Sequence, residues 1–199
     1  MAPAHAVAGF LLAVLPLIAT PGASLALLVR QVAAHGRGRA VPVVLGTVGG
    51  LGVHAGLAIA GLATVLAHSE RAFTAVRWAG GVYLIGLAAH TWWSAARVRR
   101  TVPGGGPAFV PALLANVLNP KAASIYLTLV PQFLDPGRPL PGQILLLAAA
   151  HAALLAGWLL LWTLLLGRTA TAPDRPRLRR WAPRATAVVL LVLGVRALV

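Results

Sequence analysis

Lys121 is the residue whose chemistry most narrows the function of this chain. It lies in the middle of a long, otherwise uncharged stretch, within the segment VLNPKAAS, where an ammonium group costs about 2.5–3.5 kcal/mol to place in hydrocarbon. The chain has three acidic residues, Glu70, Asp135 and Asp174, and none of them falls in an apolar stretch. We expect the counter-charge to be the carboxylate of a transported solute; the alternative is a lysine that lines a water-filled crevice without binding anything.

Polar side chains accompany Lys121 along the same stretch. Ser124 and Thr128 follow it at helical spacing, which places all three on one face of a helix. Asn116 and Asn119 precede it within two turns. We predict that Asn116, Asn119 and Ser124 line a substrate-binding site together with this lysine.

Two prolines interrupt apolar stretches near their middles, Pro21 in LIATPGAS and Pro120 in VLNPKAAS. A proline has no N–H and so frees the carbonyl four residues earlier, which is that of Leu17 or Asn116. The half-helix after each break directs N–H groups and a positive dipole end toward an anion. Carbonyls suit an ammonium group and dipole ends suit a carboxylate, so the pattern predicts a small zwitterionic amino acid as substrate.

His54 and His151 lie inside apolar stretches, where an imidazole can act in two ways. It can be a hydrogen-bonded structural residue, or it can line the substrate path and pass protons, because imidazole titrates near neutral pH. The sequence leaves both roles open, and Lys121, His54 and His151 are our candidates for a proton relay. Trp158 and Trp162, four residues apart, are interpreted as packing residues.

Small residues recur along the stretch that carries His54. The residues at this spacing are Gly46, Gly50, His54, Leu57 and Gly61. Such a groove allows a neighbouring helix to approach closely, so we interpret its glycines as packing residues.

The composition excludes most enzyme chemistry. Without cysteine there is no thiol redox chemistry or thiolate metal site, and the three acids provide no carboxylate pair for acid–base catalysis. The histidines lack metal-ligand spacing, and no GxSx-type nucleophile elbow occurs. We therefore predict a protein that is not an enzyme and that uses no metal or cofactor. A cation or metal permease and a noncatalytic membrane assembly subunit are the alternatives to a solute transporter.

Membrane helices must position these residues. Only 10% of the 199 residues are charged and 59% are hydrophobic, whereas soluble domains are about 25% charged. A helix needs about 20 apolar residues to cross a bilayer, and six stretches of about that length lack the strict alternation of a lipid-embedded barrel. We predict an all-α membrane protein, a single polytopic domain over residues 1–199. Its six spans are His5–Leu28, Val41–Ala67, Phe73–Trp93, Phe109–Phe133, Leu140–Gly167 and Trp181–Leu198.

Basic residues are distributed unequally around these spans. Of the 17 lysines and arginines, 12 fall at loops 1–2, 3–4 and 5–6 and four fall at the opposite ends. Because basic loops stay in the cytoplasm, this bias predicts that those three loops are cytoplasmic and that both termini lie outside. The net charge of +14 flanks membrane spans and has no interleaved aromatic platform. We therefore expect a lipid bilayer, and no nucleic acid, as its surroundings.

Three landmarks recur at a similar offset. Pro21 and Pro120 are 99 residues apart, His54 and His151 are 97 apart, and the tripeptide RWA at 77–79 returns at 180–182. We predict a duplication with halves of about 1–98 and 108–199, in which three spans per half force the second half to be inverted. Inverted repeats with broken helices are typical of secondary transporters, with substrate bound between the halves. The alternative is that proline is simply common in membrane helices.

The sequence resembles the LysE/RhtB family of amino-acid exporters over most of its length. TPGAS at 20–24 resembles the family's PGPN-type motif and GRGRA at 36–40 its short basic loop, while 45–63 and 77–88 resemble its second and third spans. The segment LLANVLNPKAASIYLTLVPQF at 113–133, with NPKA and PQF intact, is the most specific part.

This resemblance implies a six-span carrier of the cytoplasmic membrane that exports amino acids or their derivatives, by proton antiport and as a homodimer. It implies site roles for Pro21, Gly22, Asn119, Pro120 and Lys121. The chain departs from the family pattern after the first proline and glycine. Where the family has a second proline and then Asn or Asp, this chain has Ala23 and Ser24, so a hydroxyl replaces a stronger ligand.

Overall fold

The computed structural model describes residues 3–66 and 108–166, together with separate positions between residues 78 and 93 and between residues 184 and 198. No residue that it describes lies in a β-strand. The helices are α1 (Pro3–Ala19), α2 (Ala23–His35), α3 (Ala40–Leu66), α4 (Phe109–Val117), α5 (Pro120–Ser124) and α6 (Leu140–Leu166). A π-helical turn, Ile125–Leu129, and a 3₁₀ turn, Val130–Phe133, continue α5.

Four candidate membrane spans arise from these helices. Helices α3 and α6 have 27 residues each and are long and apolar enough to cross a bilayer. Helix α1 with α2, and α4 with the segment that begins at Pro120, form two pairs that are each bent by 53° at a short break. If each bent pair is one span, the described residues contain four.

The second, fourth and fifth predicted spans agree with the observed helices to within one residue. The first is longer than predicted, because α2 continues from Leu28 to His35. It ends at Gly36, whose φ of 84° favours glycine and whose N–H donates to the carbonyl of Val32 at 2.9 Å. About half of the third and of the sixth predicted spans lies outside the described residues, and the positions described within these spans are helical. The second RWA tripeptide, and Arg77 of the first, also lie outside the described residues.

The two breaks have local causes in the sequence. Helix α1 ends at Ala19, just before Pro21, and α2 starts after Gly22, which has extended backbone angles. At the second break Pro120 occupies the first turn of α5, where its missing N–H costs nothing. Asn119 caps α5, since its Oδ1 accepts from the backbone N–H of Lys121 at 3.1 Å.

Glycines determine how closely α3 packs against α4. A Cβ added at Gly46 would collide with the carbonyl oxygen of Phe109, and one added at Gly50 would lie 2.7 Å from Cβ and Oδ1 of Asn116. Gly61 and Leu57 do not belong to this contact, because Leu57 is exposed and the space beside Gly61 is open. The predicted groove is therefore a packing surface only in its first half.

Helix α6 completes the arrangement by packing against α3 and against both halves of the first broken span. Large side chains such as Phe10, Tyr126 and Leu147 fill the interior. Many large apolar side chains, including Leu118 and Leu164, point outward instead. An apolar exterior around a packed helical interior is the pattern of an all-α membrane protein.

Candidate functional site

The side chain of Lys121 joins the two helix breaks. Its ammonium Nζ donates to the backbone carbonyl of Thr20 at 3.0 Å and to Thr20 Oγ1 at 2.9 Å. Thr20 lies in the first break and Lys121 begins the helix after the second, so the bond bridges 101 residues. The amine reaches the place where the two bent spans meet, and it is not directed along its own helix toward a membrane surface.

No described carboxylate neutralises this ammonium. Of the three acids only Asp135 lies among the described residues, and its Oδ2 is 3.6 Å from Nε of Arg138. Both partners of Lys121 are neutral oxygens of a single residue. An ammonium has three N–H bonds, so one remains for another acceptor.

A cavity of about 50 Å³ opens beside Lys121, and we call it the Lys121 cavity. This volume holds a few water molecules. Helices α2, α4, α5 and α6 and the two breaks all contribute to it. The polar residues that line it are Thr20, Ser24, Asn116, Asn119, Lys121, His151 and Trp158.

Three lining residues carry a buried polar atom without a hydrogen-bond partner. These atoms are Oδ1 of Asn116, Nδ1 of His151 and Nε1 of Trp158. An unpaired polar atom in a protein interior costs about 1–3 kcal/mol, and such atoms are rare outside functional sites. An incoming polar molecule could donate a hydrogen bond to the amide oxygen and accept one from the indole N–H.

The carbonyls released by the prolines are not free acceptors, in contrast to the sequence-based expectation. The carbonyl of Leu17 accepts from Thr20 Oγ1 at 2.8 Å. The carbonyl of Asn116 accepts from the N–H of Asn119 at 3.0 Å and lies 3.2 Å from Nε2 of His54. Buried carbonyls take whatever donor lies nearby, and here local side chains and turns provide one.

Six of the ten predicted site residues line the Lys121 cavity, and four do not. Those that line the Lys121 cavity are Gly22, Ser24, Asn116, Asn119, Lys121 and His151. Pro21 and Pro120 are exposed and shape the breaks, and Ser124 is buried with its hydroxyl donating to the carbonyl of Lys121 at 2.8 Å. His54 does not line this cavity, and its Nε2 lies 3.2 Å from the carbonyl oxygen of Asn116.

Thr20, Trp158 and Tyr126 have positions that sequence reasoning did not predict. Thr20 directly precedes Pro21, and a polar residue at a helix break was the signal that could have revealed it. Trp158 packs against the core as predicted, and its ring also lines the cavity with an unpaired N–H.

Tyr126 stacks with both membrane histidines. Its ring centroid lies 5.7 Å from that of His54, at 18° between planes, and 5.9 Å from that of His151, at 28°. Its hydroxyl is buried and has no partner. Within the part of the chain that the structure covers, no three His, Cys, Asp or Glu residues are arranged to hold a metal ion.

The chain is similar to known membrane proteins. Over 117 residues it is 35% identical to the homoserine/homoserine lactone efflux protein of Salmonella typhimurium, an alignment that spans 57% of each chain. It is 26% identical over 203 residues to the uncharacterized membrane protein YrhP of Bacillus subtilis, which covers 94% of this chain and 97% of that protein. No solved structure matches it.

The sequence model of the LysE type translocators matches residues 15–199. This match extends over both helix breaks, the Lys121 cavity and nearly the whole length of the chain. It confirms the resemblance seen in the motifs, and translocators are transporters and not enzymes. The chain therefore belongs to the LysE type translocator family.

Proposed function

We propose that this chain is a secondary transporter that exports a small amino acid or amino-acid derivative across the cytoplasmic membrane. The single observation that carries the proposal is the Lys121 ammonium, held at the meeting point of two broken helices beside a cavity. Family membership and the printed function of the Salmonella relative support export of such a solute.

The substrate carboxylate binds to Lys121. The ammonium has one N–H left after its two bonds to Thr20, and no described carboxylate competes for it. Charge-assisted hydrogen bonds of this kind are about twice as strong as neutral ones. The same positive charge repels a cation, which disfavours a cation permease.

The remainder of the substrate binds to the unpaired atoms of the cavity. The Oδ1 of Asn116 and Nδ1 of His151 can accept from an ammonium or hydroxyl group, and the Trp158 N–H can donate. A small solute with a polar side chain makes use of all three. Homoserine, which appears in the name of the Salmonella efflux protein, is a small solute with such a polar side chain.

The transport cycle exchanges the substrate for a proton. Lys121 and His151 line the cavity, and His54 is linked to His151 through the ring of Tyr126. A proton exchanged at the Lys121 cavity by these side chains would couple an inward proton gradient to efflux. A proton flux that accompanies each exported substrate in vesicles would test this part.

The architecture is a six-span inverted repeat with both termini outside, and it acts as a homodimer. Equal bends of 53° in the two broken spans support the repeat. The packing is also reciprocal, because α3 of the first half packs against α4 of the second, and α6 of the second packs against α1 and α2 of the first. At the 99-residue offset Gly22 is the counterpart of Lys121, and a Cβ added there would lie 3.6 Å from Nζ.

Efflux from vesicles loaded with homoserine tests the proposal. We expect Lys121→Met to reduce the efflux rate by about 10- to 100-fold, the value of a charge-assisted hydrogen bond. Leu118→Met is the matched control, because Leu118 is in the same broken span and 77% exposed on the outward side. Unchanged efflux from the Lys121→Met protein would refute the role of the ammonium.

A further inference from the structure

A second and larger cavity lies where α1 and α6 begin and the second broken span ends. It has a volume of about 360 Å³, and we call it the Asp135 cavity. Residues of the α1 start, the end of the second broken span and the α6 start line it, among them Ala6, Val7, Phe133 and Leu147. In the proposed topology this end faces the outside.

The two cavities are separated by about one helical turn. On α6, Leu147 lines the Asp135 cavity and His151, four residues later, lines the Lys121 cavity. Four residues of helix span about 6 Å. A short barrier therefore separates the space beside the ammonium from the space at the outer end.

The ring of Phe10 forms part of this barrier. Phe10 is fully buried and is not among the residues that line either cavity. Its ring meets Phe133, of the Asp135 cavity, edge-on at 5.7 Å and meets His151, of the Lys121 cavity, edge-on at 6.2 Å. One aromatic ring thus connects a wall of the first cavity to a wall of the second.

The second broken span has an irregular segment at the same level. Ile125 lines the Lys121 cavity and Gln132 lines the Asp135 cavity. The π-helical turn Ile125–Leu129 begins at the first of these residues and ends three residues before the second. Such turns are rare in proteins as a whole and occur frequently at functional sites.

We propose that Phe10 is the gate that closes the path from the Lys121 cavity to the Asp135 cavity, and that the Asp135 cavity is the exit vestibule of the transporter. The proposal rests on the transport function proposed above. Withdrawal of this ring, with rewinding of Ile125–Leu129, joins the two cavities.

Thiol labelling tests the gate without any substrate. The chain contains no cysteine, so single cysteines can be placed at Ala6, in the Asp135 cavity, and at Leu155, in the Lys121 cavity. A membrane-impermeant thiol reagent is added to the membrane face from which Ala6→Cys reacts. We expect Leu155→Cys to react slowly there, and about tenfold or more faster when Phe10→Ala is added, because a thiol reacts only where water and reagent reach it.

Val14→Ala is the matched control, since Val14 is one turn further along α1, equally buried and absent from both cavity walls. Faster labelling with Phe10→Ala and not with Val14→Ala supports the gate. Equal labelling with and without Phe10→Ala, or equal acceleration by Val14→Ala, overturns it. If Phe10→Ala does not fold, Phe10→Leu provides the same comparison with a smaller expected increase.

The labelling and efflux experiments fail separately. Labelling that follows the expected pattern while homoserine efflux is insensitive to Lys121→Met leaves the gate standing and refutes the substrate site. Normal dependence of efflux on Lys121 with no effect of Phe10→Ala on labelling refutes the gate alone.

Discussion

Thr20 and Lys121 form a contact in which two neutral oxygens hold a charge. The carbonyl and hydroxyl of Thr20 replace part of the hydration of the ammonium, but neither oxygen has the full negative charge that would neutralise it. The contact therefore fixes the position of the ammonium and leaves its positive charge without a neutralising partner among the described residues. An anionic group on the substrate gains most from this arrangement.

Substrates with and without a carboxylate distinguish this mechanism from general binding. Homoserine has a free carboxylate, whereas in its lactone the same carbon is part of a neutral ester. We expect Lys121→Met to lower homoserine efflux by about 10- to 100-fold and lactone efflux by much less, because only the former loses a charge-assisted bond. The measurement is the ratio of the two efflux rates, and an equal loss of both would contradict carboxylate binding at Lys121.

The hydroxyl of Thr20 should limit how tightly a substrate binds. Thr20→Val keeps the shape of the side chain but removes the hydroxyl, which frees one N–H of Lys121 and leaves the carbonyl of Leu17 without its donor. We expect the half-saturating substrate concentration to fall about tenfold and the unfolding temperature without substrate to fall as well. Thr20→Ser should resemble the natural protein in both measurements, and weaker binding by Thr20→Val would argue against competition.

For individual residues, the sequence predicts where a charge lies better than it predicts which groups that charge contacts. Lys121 was identifiable because a lone cation in an apolar stretch demands an explanation. Asn116 was predicted as its neighbour on the same stretch, His151 as a histidine inside an apolar stretch, and Gly22 from the family resemblance. Trp158 and Thr20 were not, because indole N–H groups and threonine hydroxyls are common in membrane helices with local partners. Only the packed structure shows that the Trp158 N–H has none.

Helices α3 and α4 touch through glycines, and this contact positions one wall of the Lys121 cavity. Gly50 faces Asn116, whose side chain lines that cavity. A side chain at Gly50 therefore affects the site as well as the packing.

Gly50→Ala and Gly52→Ala should differ in their effects on stability. A Cβ at Gly50 would lie 2.7 Å from Asn116, whereas no atom of a described residue lies within 4 Å of one at Gly52, two residues later on the outward side. We expect Gly50→Ala to destabilise by about 1–3 kcal/mol through overpacking, and Gly52→Ala to be neutral or to stabilise by about 0.5–1 kcal/mol. Unfolding temperatures in detergent measure both, and equal shifts would contradict the close packing of α3 on α4.

Helix positions were predictable where length and apolarity decide them. The bounds of the second and fifth spans follow directly from the absence of charges over about 25 residues, and those of the fourth from a stretch in which Lys121 is the single charge. The extension of α2 to His35 was not predicted, because Arg30 was taken as the end of the apolar stretch, whereas it lies on the exposed side of a continuing helix. The π-helical turn at Ile125–Leu129 has no signal in residue type.

The orientation of the whole molecule can be tested with the same cysteine-free chain. Gly38 is exposed in the loop between α2 and α3, and Pro136 is exposed in the loop before α6. The distribution of basic residues predicts that the first loop is cytoplasmic and the second is outside. We expect an impermeant thiol reagent added to intact cells to label Pro136→Cys and to label Gly38→Cys only after the membrane is opened. The reverse pattern would invert the proposed topology.

The two helix breaks were predictable, since each one lies at a proline that is easily seen in the sequence. Their spatial relation was not, because the offset between Pro21 and Pro120 does not say which residue of one break meets which residue of the other. The structure pairs Lys121 with Thr20, one position before the counterpart of Pro120. That choice depends on the length of a lysine side chain and on the space left by Gly22.

In the proposed exporter, the bond between Lys121 and Thr20 raises the substrate concentration that binding needs. A carboxylate that draws more than one hydrogen bond from this ammonium must displace an oxygen that is already in place, and a resident partner lowers the apparent affinity for a newcomer. A scavenging importer would be handicapped by such a resident. An exporter of surplus metabolite would be suited by it, because Thr20 would keep Lys121 occupied while the solute is scarce and would be displaced as the intracellular concentration rises.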